Sequence, residues 1–431
     1  MQSTPGNLAL LRNSSHMAET LIPSEIIKLA SEVNHKIQLG EEIFNLTIGD
    51  FNPAIFPIPK ELEDAIIKAY QSGHTNYPAA NGMVELRKIL SSSILNKLGL
   101  DYSPDEILVS GGARPLIYAI YKTILDKGDL VLFPVPSWNN NHYCHLSEAC
   151  GQALEVSAAQ NFMPTAADIK PFIEKATLIA LCSPQNPTGT VFAKDTLLEI
   201  CQLVKQENIR RSGNQKPLYI MYDQIYWELT FGDTRHYDPV SLEPALRDYV
   251  IYVDGLSKVF AATGVRVGWS FGPKKLIDQM RAILSHIGAW APKAEQMATA
   301  SFLQNTEAVQ AYLNWFKPEI HYRLSALYDG IIKLKNDSYP IDIINPQAAI
   351  YLTVQCPWKG KTVKGSKVLE TQQMVTAFIL DTCKIAIVPF KAFGSSDDSD
   401  WYRISVGTLE KDHIDSIISG FKKGMDQLED S

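Results

Sequence analysis

Ile107-Leu-Val109, an apolar run suited to a β-strand, leads directly into Ser110-Gly-Gly-Ala-Arg-Pro115 and then into a helical pattern. Two glycines after a strand permit a tight turn, and Pro115 suits the first turn of the helix that follows. Such a junction aims unpaired backbone N–H groups and the positive end of a helix dipole outward. It is either a plain strand-to-helix turn or a cradle for a phosphate monoester.

The same alternation continues downstream. Leu130-Val-Leu-Phe133, Leu178-Ile-Ala-Leu181, Leu218-Tyr-Ile-Met221, Val250-Ile-Tyr-Val253 and Val265-Arg-Val-Gly268 read as strands, with helices between them over 194–205 and 274–284. Strands alternating with helices predict an α/β fold, a mainly parallel sheet flanked by helices, and such sheets bind ligands at the carboxyl ends of their strands. The C-terminal part differs. There Ala349-Ile-Tyr-Leu-Thr-Val354, Ile385-Ala-Ile-Val388 and Tyr402-Arg-Ile-Ser-Val406 read as strands around a helix over 367–384. In a final helix Ile414, Ile417, Ile418, Phe421, Met425 and Leu428 recur at three- and four-residue steps, the spacing of one buried face. The expected organisation is a loose N-terminal arm over 1–23, a large domain over 61–335, and a smaller α+β domain built from 24–60 and 336–431.

Composition limits the function. The 431 residues include 40 Lys and Arg against 47 Asp and Glu, a net charge of −7, with 45% hydrophobic and 20% charged. That is a globular composition of the wrong sign for clamping nucleic acid or docking on anionic lipid. Cys144, Cys150, Cys182, Cys201, Cys356 and Cys383 form no C-x-x-C pair and no dense framework, so they read as reduced thiols and no metal is expected. No apolar stretch approaches the roughly 18 residues of a membrane span, and Leu8-Ala-Leu-Leu11 is too short for a signal-peptide core. A cytoplasmic protein is expected.

Two phosphate-loop imitations fail. Gly360-Lys361-Thr362 has Gln355 where a P-loop needs its leading glycine, and Gly264, Gly268 and Gly272 lack the G-x-G-x-x-G spacing of a dinucleotide turn. Three further pieces follow strands instead. Ser183-Pro-Gln-Asn-Pro-Thr-Gly189 is a turn-rich loop with an amide able to project over the sheet edge. In Tyr222-Asp223-Gln224-Ile225-Tyr226 a carboxylate ends an apolar strand and needs a partner there. Lys258, after Ser257 and eight residues before Arg266, is either a snorkelling surface lysine or an amine made nucleophilic by burial and nearby cations.

Taken together these pieces resemble the fold-type I pyridoxal-phosphate enzymes, specifically the class I/II aminotransferases related to aspartate aminotransferase. The matching motifs are Asn76-Tyr-Pro-Ala-Ala-Asn-Gly82, Ser110-Gly-Gly-Ala-Arg114, Ser183 to Gly189, Tyr222 to Tyr226, Ser257-Lys258, Thr263-Gly-Val-Arg-Val-Gly268 and Tyr402-Arg-Ile-Ser405, in the family's order. The resemblance implies pyridoxal 5'-phosphate as cofactor and a ping-pong transfer of an amino group from an L-amino acid to a 2-oxo acid, with aspartate and 2-oxoglutarate as the first pair to try.

By that resemblance Lys258 binds the cofactor covalently and moves the substrate proton, Asp223 pairs with the ring nitrogen, and Tyr226 and Asn186 hydrogen-bond the ring's 3-oxygen. The phosphate falls to Gly112, Ala113, Ser257 and Arg266, helped by Tyr77 from a second subunit, which implies a homodimer with shared active sites. Trp138 stacks on the ring, and Arg403 with the backbone at Gly49 takes the substrate α-carboxylate. The same residues also serve lyases, decarboxylases, racemases and cofactor-binding regulators. One departure bears on substrate choice: Ala113 stands where bacterial aspartate aminotransferases often carry lysine, and Arg114 is a possible replacement.

Overall fold

A computed structural model describes residues 14–22 and 25–430. Its main sheet has seven strands: β1 (Ile107–Ser110), β2 (Leu130–Val135), β3 (Cys150–Glu155), β4 (Ala176–Cys182), β5 (Tyr219–Asp223), β6 (Val250–Gly255) and β7 (Gly268–Phe271). In space they run β1-β7-β6-β5-β4-β2-β3, with β7 antiparallel to both neighbours and the other pairs parallel. Successive residues on a strand face opposite ways, and the burial follows suit. Ile179, Ile220, Tyr252 and Phe271 enter one apolar core, while Leu178, Met221, Ile251 and Val253 enter another on the opposite face. A sheet covered on both sides explains why these strands read as unbroken apolar runs.

Beyond it lies a four-stranded antiparallel sheet ordered Val388–Pro389, Trp401–Ser405, Tyr351–Gln355 and Asp342–Ile343. The helix Thr306–Asn336 links the two regions. Its Leu313 packs in the core of the main sheet, and Phe316, Ile320, Leu324, Leu327 and Ile331 pack against the smaller one. Residues 44–52 return to this second layer: Phe44 and Asn45 pair with Ile385 and Ala386, Ser405 N donates to Leu46 O at 2.9 Å, and Asn52 N donates to Gly407 O at 2.9 Å. Gly49 is thereby carried to the strand that bears Arg403.

Several elements differ from the sequence expectation, each for a local reason. The strand expected at Val265 starts only at Gly268, because Arg266 sits in the left-handed region (φ 59°) and turns the chain first. β3 gave no apolar signal because it is an edge strand with only Leu154 fully buried. The helix expected over 367–384 begins at Gln372, where Thr371 caps it by accepting from Met374 N. The run Ile385 to Val388 is divided between two sheets. The last helix ends at Met425, and Leu428 pairs with Val363 in a two-residue strand. Of the expected N-terminal arm, residues 1–13 lie outside the described residues, but His16–Thr20 is a helical turn whose Met17 O and Thr20 Oγ1 each lie 3.1 Å from Nε2 of His145.

One junction tolerates no side chain. A Cβ at Gly268 would lie 2.6 Å from Gly112 C and 2.8 Å from Ala113 N, both backbone atoms, whereas a Cβ at Gly264 meets nothing within 4 Å. Gly268→Ala should therefore cost about 3 kcal/mol of stability, and Gly264→Ala should stay within about 0.5 kcal/mol, as read from denaturant unfolding midpoints at constant m-value.

Candidate active site

A cavity of about 550 Å³ opens at the carboxyl ends of β4, β5 and β6, the edge predicted to carry the chemistry. Its wall is assembled from turns that follow strands. Ala113 comes from the β1 junction, Trp138 from the loop after β2, and Asn186 from the loop after β4. Asp223 ends β5, Tyr226 follows it, and Ser257 and Lys258 lie on the helical turn Leu256–Val259 after β6. Arg266 precedes β7, while Gly49 and Arg403 reach in from the second layer. Gly112 adjoins the cavity through Arg266, whose guanidinium lies where a Cβ of Gly112 would be.

Tyr77 is not brought to this cavity. It is 81% exposed, with its ring edge-on to Trp290 at 5.2 Å, beside a separate surface pocket.

At the centre, Lys258 Nζ donates to Gly49 O at 2.6 Å. Burial lowers this amine to about 8, with Arg403, Arg114 and Arg266 acting in the same sense and Asp50 opposing them. Asp223 is pushed up to about 6 by burial, which outweighs its hydrogen bond from Ile225 N and the nearby Lys258. The cavity thus holds an amine shifted toward neutrality and a carboxylate without a matched cation.

Arg403 is 1% exposed and faces no carboxylate. It donates to Asn186 Oδ1 at 3.1 Å and to Thr47 O, while its guanidinium lies against the rings of Tyr351 and Phe393 at 4.8 and 4.9 Å. Its Nε is buried with no acceptor among the described residues. A buried cation in this state carries a desolvation cost that a planar anion would offset by two-pronged hydrogen bonding.

The β1 junction gathers donors of the same kind. The helix Ala113–Ile124 starts after Gly112 (φ 95°) with no side-chain cap on its first N–H groups. Arg266 is fixed beside it, donating to Thr263 O at 2.7 Å and Gly111 O at 2.9 Å. Bare amides, a helix N-terminus and a guanidinium together suit a phosphate. With the amine, the buried carboxylate and the orphaned Arg403 Nε, the residues present fit pyridoxal phosphate and an amino-acid substrate.

Three neighbours escaped the sequence reading. Tyr351 shares a 2.7 Å hydrogen bond with Tyr226, and nothing marks a tyrosine in an apolar strand as other than core. Asp50 accepts from Thr263 Oγ1 at 2.6 Å and from Phe51 N at 2.8 Å, and its position next to Gly49 was the available signal. Asn140, two residues after Trp138, accepts from Tyr121 Oη and donates to Ser137 Oγ, which holds that loop to the cavity wall.

Comparison with known proteins agrees. The profile of the family described as aminotransferase class I and II matches residues 41–421. A bifunctional aspartate aminotransferase and glutamate/aspartate-prephenate aminotransferase of Petunia hybrida is 29% identical over 90% of this chain and 78% of its own length. A probable aspartate/prephenate aminotransferase of Rhizobium leguminosarum bv. phaseoli is 29% identical over 90% and 93%. Among solved structures, the aspartate aminotransferase of Rhizobium meliloti superposes with a TM-score of 0.87 at 24% identity, covering 97% of this chain and all of that one. That of Thermus thermophilus with maleate gives 0.84 at 22%, covering 96% of this chain and 100% of the other.

The electrostatics can be read directly from the cofactor-free protein. Reductive methylation of Lys258, followed by mass spectrometry across pH, should show a midpoint of about 8. Asp50→Asn should move it lower and Arg403→Ala higher, since the first removes the charge that favours the ammonium and the second removes one that opposes it. A midpoint in the range of surface lysines would contradict this account.

Proposed function

The chain belongs to the class I and II aminotransferases, and we propose that it moves an amino group between L-aspartate and 2-oxoglutarate. Its cofactor is pyridoxal 5'-phosphate, which, when bound, supplies an electron sink for the charge left at the substrate α-carbon. The observation that carries the assignment of roles is the meeting of Lys258, Asp223, Arg266 and Arg403 on one cavity. Aspartate appears in the names of the relatives from Petunia and Rhizobium, and the Thermus neighbour was captured with a dicarboxylate, maleate.

In this proposal Gly112 and Ala113 N–H, Ser257 and Arg266 hold the phosphate, and Trp138 covers the ring face. Asp223, raised by burial, gains most from a cationic partner and so keeps the ring nitrogen protonated. Asn186 and Tyr226 orient the ring's 3-oxygen. Arg403, supported by the Gly49 backbone, takes the substrate α-carboxylate and fixes which α-carbon bond can break. The neutral amine of Lys258 anchors the cofactor and then takes the proton from that carbon, a task favoured by a pKa near the working pH.

Residues 61–335 form the cofactor-binding domain in this scheme, and 24–60 with 336–431 the small domain that supplies Gly49 and Arg403. The exposed Tyr77 is assigned to the neighbouring active site of a homodimer. The six unpaired cysteines favour a reducing, cytoplasmic setting.

Purified protein loaded with pyridoxal phosphate should convert aspartate and 2-oxoglutarate to oxaloacetate and glutamate, and Lys258→Ala should lower kcat by about 10⁴-fold. Release of ammonia or carbon dioxide in place of a matched amino acid would point to a lyase or a decarboxylase. Sedimentation should give the mass of two chains, and Tyr77→Phe should weaken cofactor retention about tenfold, as loss of one charge-assisted hydrogen bond implies.

A further inference from the structure

Four cations line the cavity, Arg114, Lys258, Arg266 and Arg403, against two carboxylates, Asp50 and Asp223. Both acids and three of the cations already have occupations. Asp50 is tied to Thr263 and Phe51 N. Asp223, Lys258, Arg266 and Arg403 have the tasks given above. Arg114 is left over.

Its surroundings are unusual for a spare arginine. It forms no ion pair or hydrogen bond among the described residues, and its one recorded contact is with the Trp138 ring, 5.2 Å from guanidinium carbon to ring centroid. It is the second residue of the helix Ala113–Ile124, where a cation opposes the helix dipole. It also lies close enough to Lys258 and Arg266 to disfavour their charged forms. Asp50 offsets part of this repulsion at Lys258 and Arg266, but no carboxylate among the described residues pairs with Arg114 itself. An incoming anion would.

The shape of the wall suggests which anion. Beside Arg114 the cavity is bounded by Ile26, Ile117 and Trp138, and Ile26 and Trp138 belong to one apolar cluster. A short aliphatic arm fits along such a wall, and a charge at its end would meet the guanidinium. Stacking on an indole holds a guanidinium plane in one orientation while leaving its N–H fork free for a carboxylate. Ala113 offers only a methyl group and cannot do this.

We propose that Arg114, held on Trp138, receives the side-chain carboxylate of a dicarboxylic substrate. The inference rests on the aminotransferase reading of the same cavity and adds the group that selects the substrate. In a ping-pong cycle one receptor meets both partners in turn, so aspartate and 2-oxoglutarate both depend on it, and a substrate without a second carboxylate does not.

The test is the first half-reaction of the loaded holoenzyme, followed by the absorbance of the lysine-bound cofactor with aspartate, glutamate, alanine and phenylalanine. In Arg114→Gln, kcat/KM for aspartate and glutamate should fall about 100-fold, the usual scale for losing one partner of a desolvated charge pair. Alanine and phenylalanine should change less than about threefold, pyridoxal phosphate affinity should hold within the same margin, and Arg114→Lys should recover part of the loss. Equal losses for alanine and aspartate, an unchanged rate with aspartate, or a parallel loss of cofactor affinity would each overturn the assignment, the last by placing Arg114 on the phosphate. Wild-type protein that transaminates alanine or phenylalanine but not aspartate would also overturn it, while leaving the aminotransferase reading intact. A holoenzyme that transaminates none of the four would instead count against that reading.

Discussion

The approach of two backbones, at Gly112 and Gly268, underlies the whole site. Where β1 hands over to its helix and the chain enters β7, a Cβ on Gly268 would strike the main chain of Gly112 and Ala113, and one on Gly112 would strike the Arg266 guanidinium. That contact sets the helix N-terminus beside Arg266 and leaves its amides bare. Arg266 beside it adopts a left-handed conformation, which costs an L-residue about 1 kcal/mol or more. The largely buried strands β6, β5 and β4 come next after β7 in the main sheet.

The second layer answers a different problem, the storage of a charge. Arg403 is almost wholly enclosed, yet its donors meet an amide and a carbonyl rather than an acid. Two flanking rings shield it, and the strand that carries it is pinned on both sides within its sheet. Water is largely excluded there, so an anion entering this place feels an attraction weakened little by solvent. The same logic applies to Lys258, for which burial and surrounding cations lessen the usual preference for the ammonium.

Much of this was legible in the residues, for a physical reason. Asp223 ends an apolar run, and Lys258, Asn186 and the glycines of the β1 junction stand in the turns that follow such runs, where polar groups have few bland explanations. What was hidden depended on distant partners. Tyr351 sits in a strand whose alternation explains it as core, and only the fold brings its hydroxyl to Tyr226. The turn at Arg266 could not be read from Val265-Arg-Val, a sequence with ordinary strand preference. Leu428 continued a helical rhythm yet was captured by a short strand pairing with Val363.

The segment before the first domain element has a role its composition concealed. Its helical turn is fastened to His145, and Ile26, a few residues on, forms part of the cavity wall beside Trp138. Ile26 is therefore structural material of the binding chamber, and the turn His16–Thr20 is anchored on the helix whose first residue, Asn140, lines it. Without Ile26 one side of the Trp138 indole would stand open to bulk water.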